Sequence, residues 1–198
     1  MTQTTIALVL FLFPLAYSPG PGNLVFAANG AKFGFRATMP ANLGYHVATW
    51  CVTAAIGLGF IATLNESPIF FKALQAIGAC YIFWIASKIL RASTFTTADA
   101  VKPLRFQDGA VLLLLNPKGY VIMALMFTQF LETDQTDDVF AVLLITTIFT
   151  ANNAIAFIVW TLIGDRIAQL FHAPQHKQII NTVFAILLGA VAIWMVLI

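Results

Sequence analysis

Lys118 is the residue in this sequence whose presence demands the most explanation. It stands in the middle of the apolar run Gly109–Leu131, which carries no other charge. At about 1.5 Å per helical residue it lies roughly 14 Å into that run. A lysine near the centre of a bilayer costs about 2.5–3.5 kcal/mol on insertion scales. Its ammonium suits an anionic group such as a substrate carboxylate. Two other readings stand beside that one: a bond to carbonyls freed by Pro117, or a stem that carries the charge to the cytoplasmic face.

Two polar stripes accompany the lysine. Asn42, His46, Thr49 and Thr53 follow steps of four, three and four and share one helical face. Thr146, Thr150 and Asn153 continue through Phe157 and Trp160 to Gly164, with Asn152 beside them. Such stripes are either hydrogen-bonded seams between helices or walls of a polar path. The threonines alone favour the seam, whereas Asn42 and Asn153 are candidate substrate contacts. His46 is the intramembrane residue that titrates near neutral pH, which makes it a candidate proton carrier. The competing reading is a neutral histidine bonded across helices. No aspartate or glutamate lies deep in an apolar run; Asp108 and Asp165 sit at the ends.

Other constellations fall away. His172 and His176 are four apart, but Pro174 interrupts them and no carboxylate accompanies them. Ser18-Pro19-Gly20-Pro21-Gly22-Asn23 lacks the Lys-Ser or Lys-Thr of a phosphate loop. Cys51 and Cys80 support neither a disulfide framework nor a zinc site. No Ser-His-Asp set is visible, so the sequence predicts no enzyme, no cofactor and no metal.

The elements that must position these residues follow from composition. The chain is 60% hydrophobic and 9% charged, against about 45–50% and about 25% for soluble domains. The mean hydropathy is +0.89. This is the composition of an integral membrane protein whose surroundings are a lipid bilayer. A net charge of +2 without a concentrated basic face argues against nucleic acid. Charges punctuate the chain into six predicted spans, near 5–31, 37–64, 68–90, 109–131, 139–164 and 178–198. The first lacks a basic leader and a small-x-small cleavage site, so it reads as a retained span.

Lys32 and Arg36, then Lys88, Arg91, Lys102 and Arg105, then Arg166 and Lys177 fall in the odd-numbered loops. Glu132, Asp134, Asp137 and Asp138 occupy the fourth loop without a basic residue. The positive-inside rule then places odd loops in the cytoplasm and both termini outside. A polar loop at 93–107 divides the chain into 1–92 and 108–198, each with three spans. Three spans per half force opposite insertion, the arithmetic of an inverted repeat. Each half opens with a proline-broken span: Pro19 and Pro21 in the first, Pro117 in the second. The predicted fold is therefore all-α, six transmembrane helices in two inverted three-helix repeats. Matched breaks in inverted halves point to a transport site between them. That gives a candidate site of Pro19, Gly20, Pro21, Asn23, Asn116, Pro117 and Lys118, with Asn42 and Asn153.

At Ser18-Pro19-Gly20-Pro21-Gly22-Asn23 and Asn116-Pro117-Lys118 the chain resembles the LysE/RhtB family of bacterial amino-acid exporters. The resemblance runs nearly end to end, through Gly34-Phe35-Arg36, Gly78-Ala79-Cys80-Tyr81-Ile82, Lys88-Ile89-Leu90-Arg91 and Phe106-x-x-Gly109. It implies an inner-membrane exporter of amino acids working by proton antiport. Small neutral substrates such as cysteine, O-acetylserine, threonine or homoserine fit best. Tyr81-Ile82-Phe83-Trp84 most resembles the cysteine and O-acetylserine branch. Gly22 replaces one of two polar residues usual after the first motif, and Thr49 stands where the family often has an acid. The alternative reading is a passive channel or a structural membrane subunit. Gly57-x-Gly59 would support helix contact in a homo-oligomer.

Overall fold

The computed structural model describes residues 2–60, 80, 83–84, 102–131 and 138–170, with isolated helical positions between 179 and 193. Among the described residues there are six α-helices and no strand. Helix α1 (Thr2–Tyr17) is followed by α2 (Pro21–Phe33), with their axes bent by 60°. Helix α3 (Phe35–Ala55) runs into a π-helical segment, Ile56–Phe60. Helices α4 (Phe106–Leu114) and α5 (Pro117–Phe130) form a second pair, bent by 63°. Helix α6 spans Asp138–Leu170.

Within α6, Val139–Leu170 is long and apolar enough to cross a membrane unbroken, and the two bent pairs meet the same test when each is taken together. The helix that carries the predicted span 139–164 continues through Asp165 and Arg166 to Leu170. Apart from residues 80 and 83–84 and those isolated helical positions, the predicted spans 68–90 and 178–198, and most of the 93–107 loop, lie outside the described residues.

Helix α3 shows what solvent the fold is built for. Its buried face carries Thr38, Asn42, His46, Thr49 and Thr53, while Leu43, Val47 and Trp50 are exposed at 61%, 45% and 39%. A helix packed for water shows the reverse pattern. Polar side chains turned inward and apolar ones outward are what a lipid environment selects. Helix α6 repeats the pattern, with Thr146, Asn153 and Thr161 buried and Ile155, Val159 and Ile163 exposed.

Glycine lets these helices approach closely. Gly109 lies against the backbone of Ala41, and Gly44 against that of Phe106. Gly164 meets the Ala27 carbonyl, and Gly30 that of Thr161. These contacts bind α4 to α3 and α6 to α2 near the end where Lys32, Arg36, Arg105 and Arg166 collect. The α2–α3 corner at this basic end turns on Gly34, whose φ of +87° suits a residue without a side chain. Beside it, Asn29 Nδ2 donates to Thr38 Oγ1 at 2.9 Å, and Asn29 Oδ1 accepts from Leu104 N at 3.3 Å.

Candidate functional site

The α1–α2 break leaves four consecutive carbonyls without their usual helical partners. Leu15 and Tyr17 would bond to the amides of Pro19 and Pro21, which have no hydrogen to give. Ala16 and Ser18 lose theirs because the chain is extended at Gly20. Inside a bilayer each such group must be satisfied by protein or by a polar cavity. Four side chains do so. Ser18 Oγ donates to Leu15 O at 3.0 Å, and Asn23 Nδ2 to Ala16 O at 2.9 Å. Trp160 Nε1 donates to Tyr17 O at 3.2 Å, and Lys118 Nζ to Ser18 O at 2.9 Å.

The second break is repaired more simply. Leu113 O would have received Pro117, and receives the Asn116 amide at 2.9 Å instead. Tyr120 donates its hydroxyl to Leu114 O at 3.1 Å. Pro117 then opens α5, where its missing N–H costs nothing and its fixed φ fits.

Lys118 thus ties one break to the other across 100 residues, with a further bond to Ser18 Oγ at 2.9 Å. It lies over Gly20, where a Cβ would come within 2.9 Å of the lysine Cδ. Of the sequence's readings, the bond to freed carbonyls holds in part, but the carbonyl belongs to the opposite break. An ammonium has three donors; two are used here, and one remains.

Asn116 sits beside it, almost fully buried. Its Nδ2 donates to the Tyr45 hydroxyl at 2.7 Å, while its Oδ1 has no partner. Tyr45 is buried among Phe26, Phe157 and the His46 ring. Because its oxygen accepts from Asn116, its own proton is left to donate.

These groups line one small pocket that is partly open to its surroundings. Asn23, Tyr45, Asn116, Lys118 and Asn153 supply its polar lining, and Leu15, Leu113, Ile122, Phe149 and Phe157 its apolar walls. A phenyl edge from Phe157 reaches over Gly22, where a Cβ would meet it at 2.8 Å.

Four of the residues singled out in the sequence (Asn23, Asn116, Lys118 and Asn153) therefore meet at this cavity. Pro19, Gly20, Pro21 and Pro117 shape the backbone around it. Asn42 and His46 stand one layer behind. His46 Nδ1 lies 2.8 Å from the Asn42 carbonyl, which can only accept, so Nδ1 carries the hydrogen. Nε2 is then an acceptor facing Asn153 Nδ2 at 3.5 Å. The Asn42 amide nitrogen has no partner.

Tyr45 escaped the sequence reading. It falls between Asn42 and His46 in sequence, off the polar stripe, and an aromatic there reads as packing. Its distance of 71 residues from Asn116 leaves no local signal. Ser18 was visible as part of a proline-glycine motif, though its side-chain role was not. Among the described residues, no group of three or more His, Cys, Asp or Glu side chains converges.

The sequence pattern of the LysE type translocator family matches residues 13–197. An "Uncharacterized membrane protein" of Vibrio cholerae is 26% identical over 187 residues, covering 90% of this chain and 89% of its own. The "Homoserine/homoserine lactone efflux protein" of Salmonella typhi is 26% identical over 176 residues, covering 86% of this chain and 84% of its own. Its counterpart in Salmonella typhimurium is 25% identical over 176 residues, with the same coverage. No solved structure matches the chain significantly.

Proposed function

The chain belongs to the LysE type translocator family, and from that premise we propose that it exports small neutral amino acids across the bacterial inner membrane by proton antiport. The relatives named as homoserine and homoserine lactone efflux proteins support a substrate of that size. One observation carries the reading: a cation with a donor to spare lies beside a buried amide oxygen with no partner. Those are Lys118 and Asn116 Oδ1, with the Tyr45 hydroxyl next to them. An amino acid presents the complement, a carboxylate for the lysine and tyrosine donors and an ammonium for the asparagine oxygen. An unmade bond at a buried polar group costs about 1–3 kcal/mol, so the site favours a zwitterion over an apolar solute. Asn23 and Asn153 complete the polar wall, and the remaining wall is apolar, which suits an uncharged side chain.

In this reading the proline-broken spans are the corresponding first helices of two inverted repeats, 1–92 and 108–198. Their nearly equal bends, and the proline that opens α2 and α5 alike, support that correspondence. The basic end faces the cytoplasm and both termini the periplasm, by the positive-inside rule. His46 is the proton carrier, because its Nε2 is a basic nitrogen held only by a long contact with Asn153, one layer behind the cavity. A passive channel is the competing mechanism.

Counterflow in proteoliposomes separates the two mechanisms, since a carrier exchanges labelled for unlabelled amino acid and a pore does not. Lys118→Met, which keeps the stem and removes the charge, should weaken affinity by roughly 10- to 150-fold, from about 1.5–3 kcal/mol for a charged hydrogen bond. The loss should shrink for a substrate whose carboxylate is amidated. Equal weakening of acid and amide would make Lys118 a tie between breaks and nothing more.

A further inference from the structure

Beyond His46 and Asn153, α3 and α6 continue antiparallel toward the end opposite the basic loops. Three contacts fix their register. Asn153 faces His46, Trp50 Nε1 donates to Thr147 Oγ1 at 3.2 Å, and Gly57 packs on Val142. That register sets Thr49 level with Thr150, and Thr53 level with Thr146.

Thr53, Thr146 and Thr150 form no hydrogen bond between the two helices, unlike the glue their spacing suggests. Thr53 and Thr146 are both 0% exposed, and the hydroxyls of Thr53, Thr146 and Thr150 have no partner at all. A threonine in a dry helix usually bonds to the carbonyl four residues back. Thr49 does so to Tyr45 O at 2.8 Å, and Thr161 to Phe157 O at 2.7 Å. The three orphaned hydroxyls do not. Each unmade bond costs about 1–3 kcal/mol, and three in one seam need a common partner. The ligand that suits isolated hydroxyls between two helices is water, which in protein interiors makes about three hydrogen bonds to groups otherwise unsatisfied.

The seam also has an end. Past the Thr53–Thr146 level, Gly57 lies so close to Val142 and Phe127 that a Cβ would meet them at 2.5 Å and 2.6 Å. Val142 and Phe127 are themselves almost fully buried. This is an apolar stopper immediately beyond a polar stretch.

We propose that the α3–α6 seam from His46 to Gly57 holds a file of water that continues the cavity outward, closed at its far end by Val142 and Phe127. Asn153 belongs to both, since it lines the cavity and faces His46. The inference rests on buried groups alone and stands whatever solute the cavity carries.

Thiol labelling tests it in membrane vesicles, on a background of Cys51→Ser and Cys80→Ser. Methanethiosulfonates react with thiolates, which form in water and not in apolar surroundings. Thr53→Cys and Thr146→Cys should each react with a small cationic methanethiosulfonate about tenfold faster than Ile145→Cys. Ile145 is also buried but belongs to the apolar core. Adding Val142→Ala should speed both seam positions by a further factor of about ten by opening the stopper. Seam cysteines as slow as Ile145→Cys, with and without Val142→Ala, would overturn the water file. Fast labelling that ignores Val142→Ala would overturn the stopper. The unmodified protein gives a second measurement that no substitution can spoil. An experimental structure that resolves water should show it within hydrogen-bond reach of Thr53 Oγ1 and Thr146 Oγ1. A dry contact there would equally refute the proposal.

Discussion

At the basic end of the bundle Gly109 lies against the backbone of Ala41 and Gly164 against that of Ala27, whereas at the far end the atoms nearest Gly57 belong to the side chains of Val142 and Phe127. Hydrogen bonding divides the same way. Asn29, Thr38 and Thr161 are paired near the basic end, while Thr53, Thr146 and Thr150 toward the other have no partner. Lys32 is the exception at the basic end, with its ammonium 5.0 Å from the Phe33 ring and no hydrogen bond. Backbone cannot move aside, but side chains can change rotamer. The contrast therefore separates a half built to stay shut from a half whose closure rests on two rotatable groups.

The largest expected effect is at the basic end. Gly109→Val drives a branched side chain into the Ala41 and Tyr45 backbone, so α3 and α4 must separate. Overpacking costs about 1–3 kcal/mol, and more where nothing can relax. Thermal melting in detergent should fall sharply, and monodisperse protein on size exclusion should be largely lost. A well-folded Gly109→Val protein would break the comparison at its stronger side.

Trp160→Phe comes next, at the break between the two halves. It keeps the ring packing but removes the donor to Tyr17 O, a carbonyl that Pro21 has already deprived of its amide. Leaving that carbonyl unpaired should cost about 1–3 kcal/mol in chemical or thermal unfolding. An unchanged stability would mean that another donor replaces the indole.

Gly57→Ala should be milder than either. Its Cβ collides with Val142 Cγ1 and the Phe127 ring, both able to rotate, so the expected cost is about 1 kcal/mol. Measured beside Gly109→Val, it tests the contrast itself. If the two substitutions cost the same, side-chain closure is no softer than backbone closure.

How much of this was legible in the sequence depends on how locally each feature is encoded. The bends before Pro21 and Pro117 fall at prolines the sequence singles out, but Pro14 and Pro40 lie inside continuous helices, so a proline alone does not fix a break. The inward face of α3 was legible, because the steps from Asn42 to Thr53 fix one stripe. The partners of the freed carbonyls were not. Trp160 and Tyr17 are 143 residues apart, and Lys118 and Ser18 are 100 apart. No periodicity connects them; only the packing of α6 on α2 and the meeting of the two breaks brings them together. The threonines show a further limit. Spacing placed Thr49 and Thr53 on one face, but whether a hydroxyl bonds its own helix or is left unpaired depends on what lies opposite.

The smallest expected effect compares two threonines on one helix. Thr161, near the basic end of α6, is fully buried and bonds Phe157 O at 2.7 Å, whereas Thr146, fifteen residues earlier, is equally buried and bonds nothing. Valine matches threonine in shape and removes only the hydroxyl. At 161 the methyl that touches Gly30 survives the change, so packing against α2 is kept and only a made hydrogen bond is lost. The expected cost is about 0.5–1.5 kcal/mol. At 146 no protein bond is lost and a buried unpaired oxygen disappears, so a dry seam would make Thr146→Val neutral or stabilising. A seam filled with water changes the sign, because the valine strips a hydrogen bond from a water held by few other groups, and water bridges are nearly as favourable as direct bonds. Thr146→Val should then cost about as much as Thr161→Val in thermal unfolding, within a few tenths of a kcal/mol. A gain in stability at 146 alongside a loss at 161 would show that the far half is dry, and its contrast with the basic half would reduce to packing.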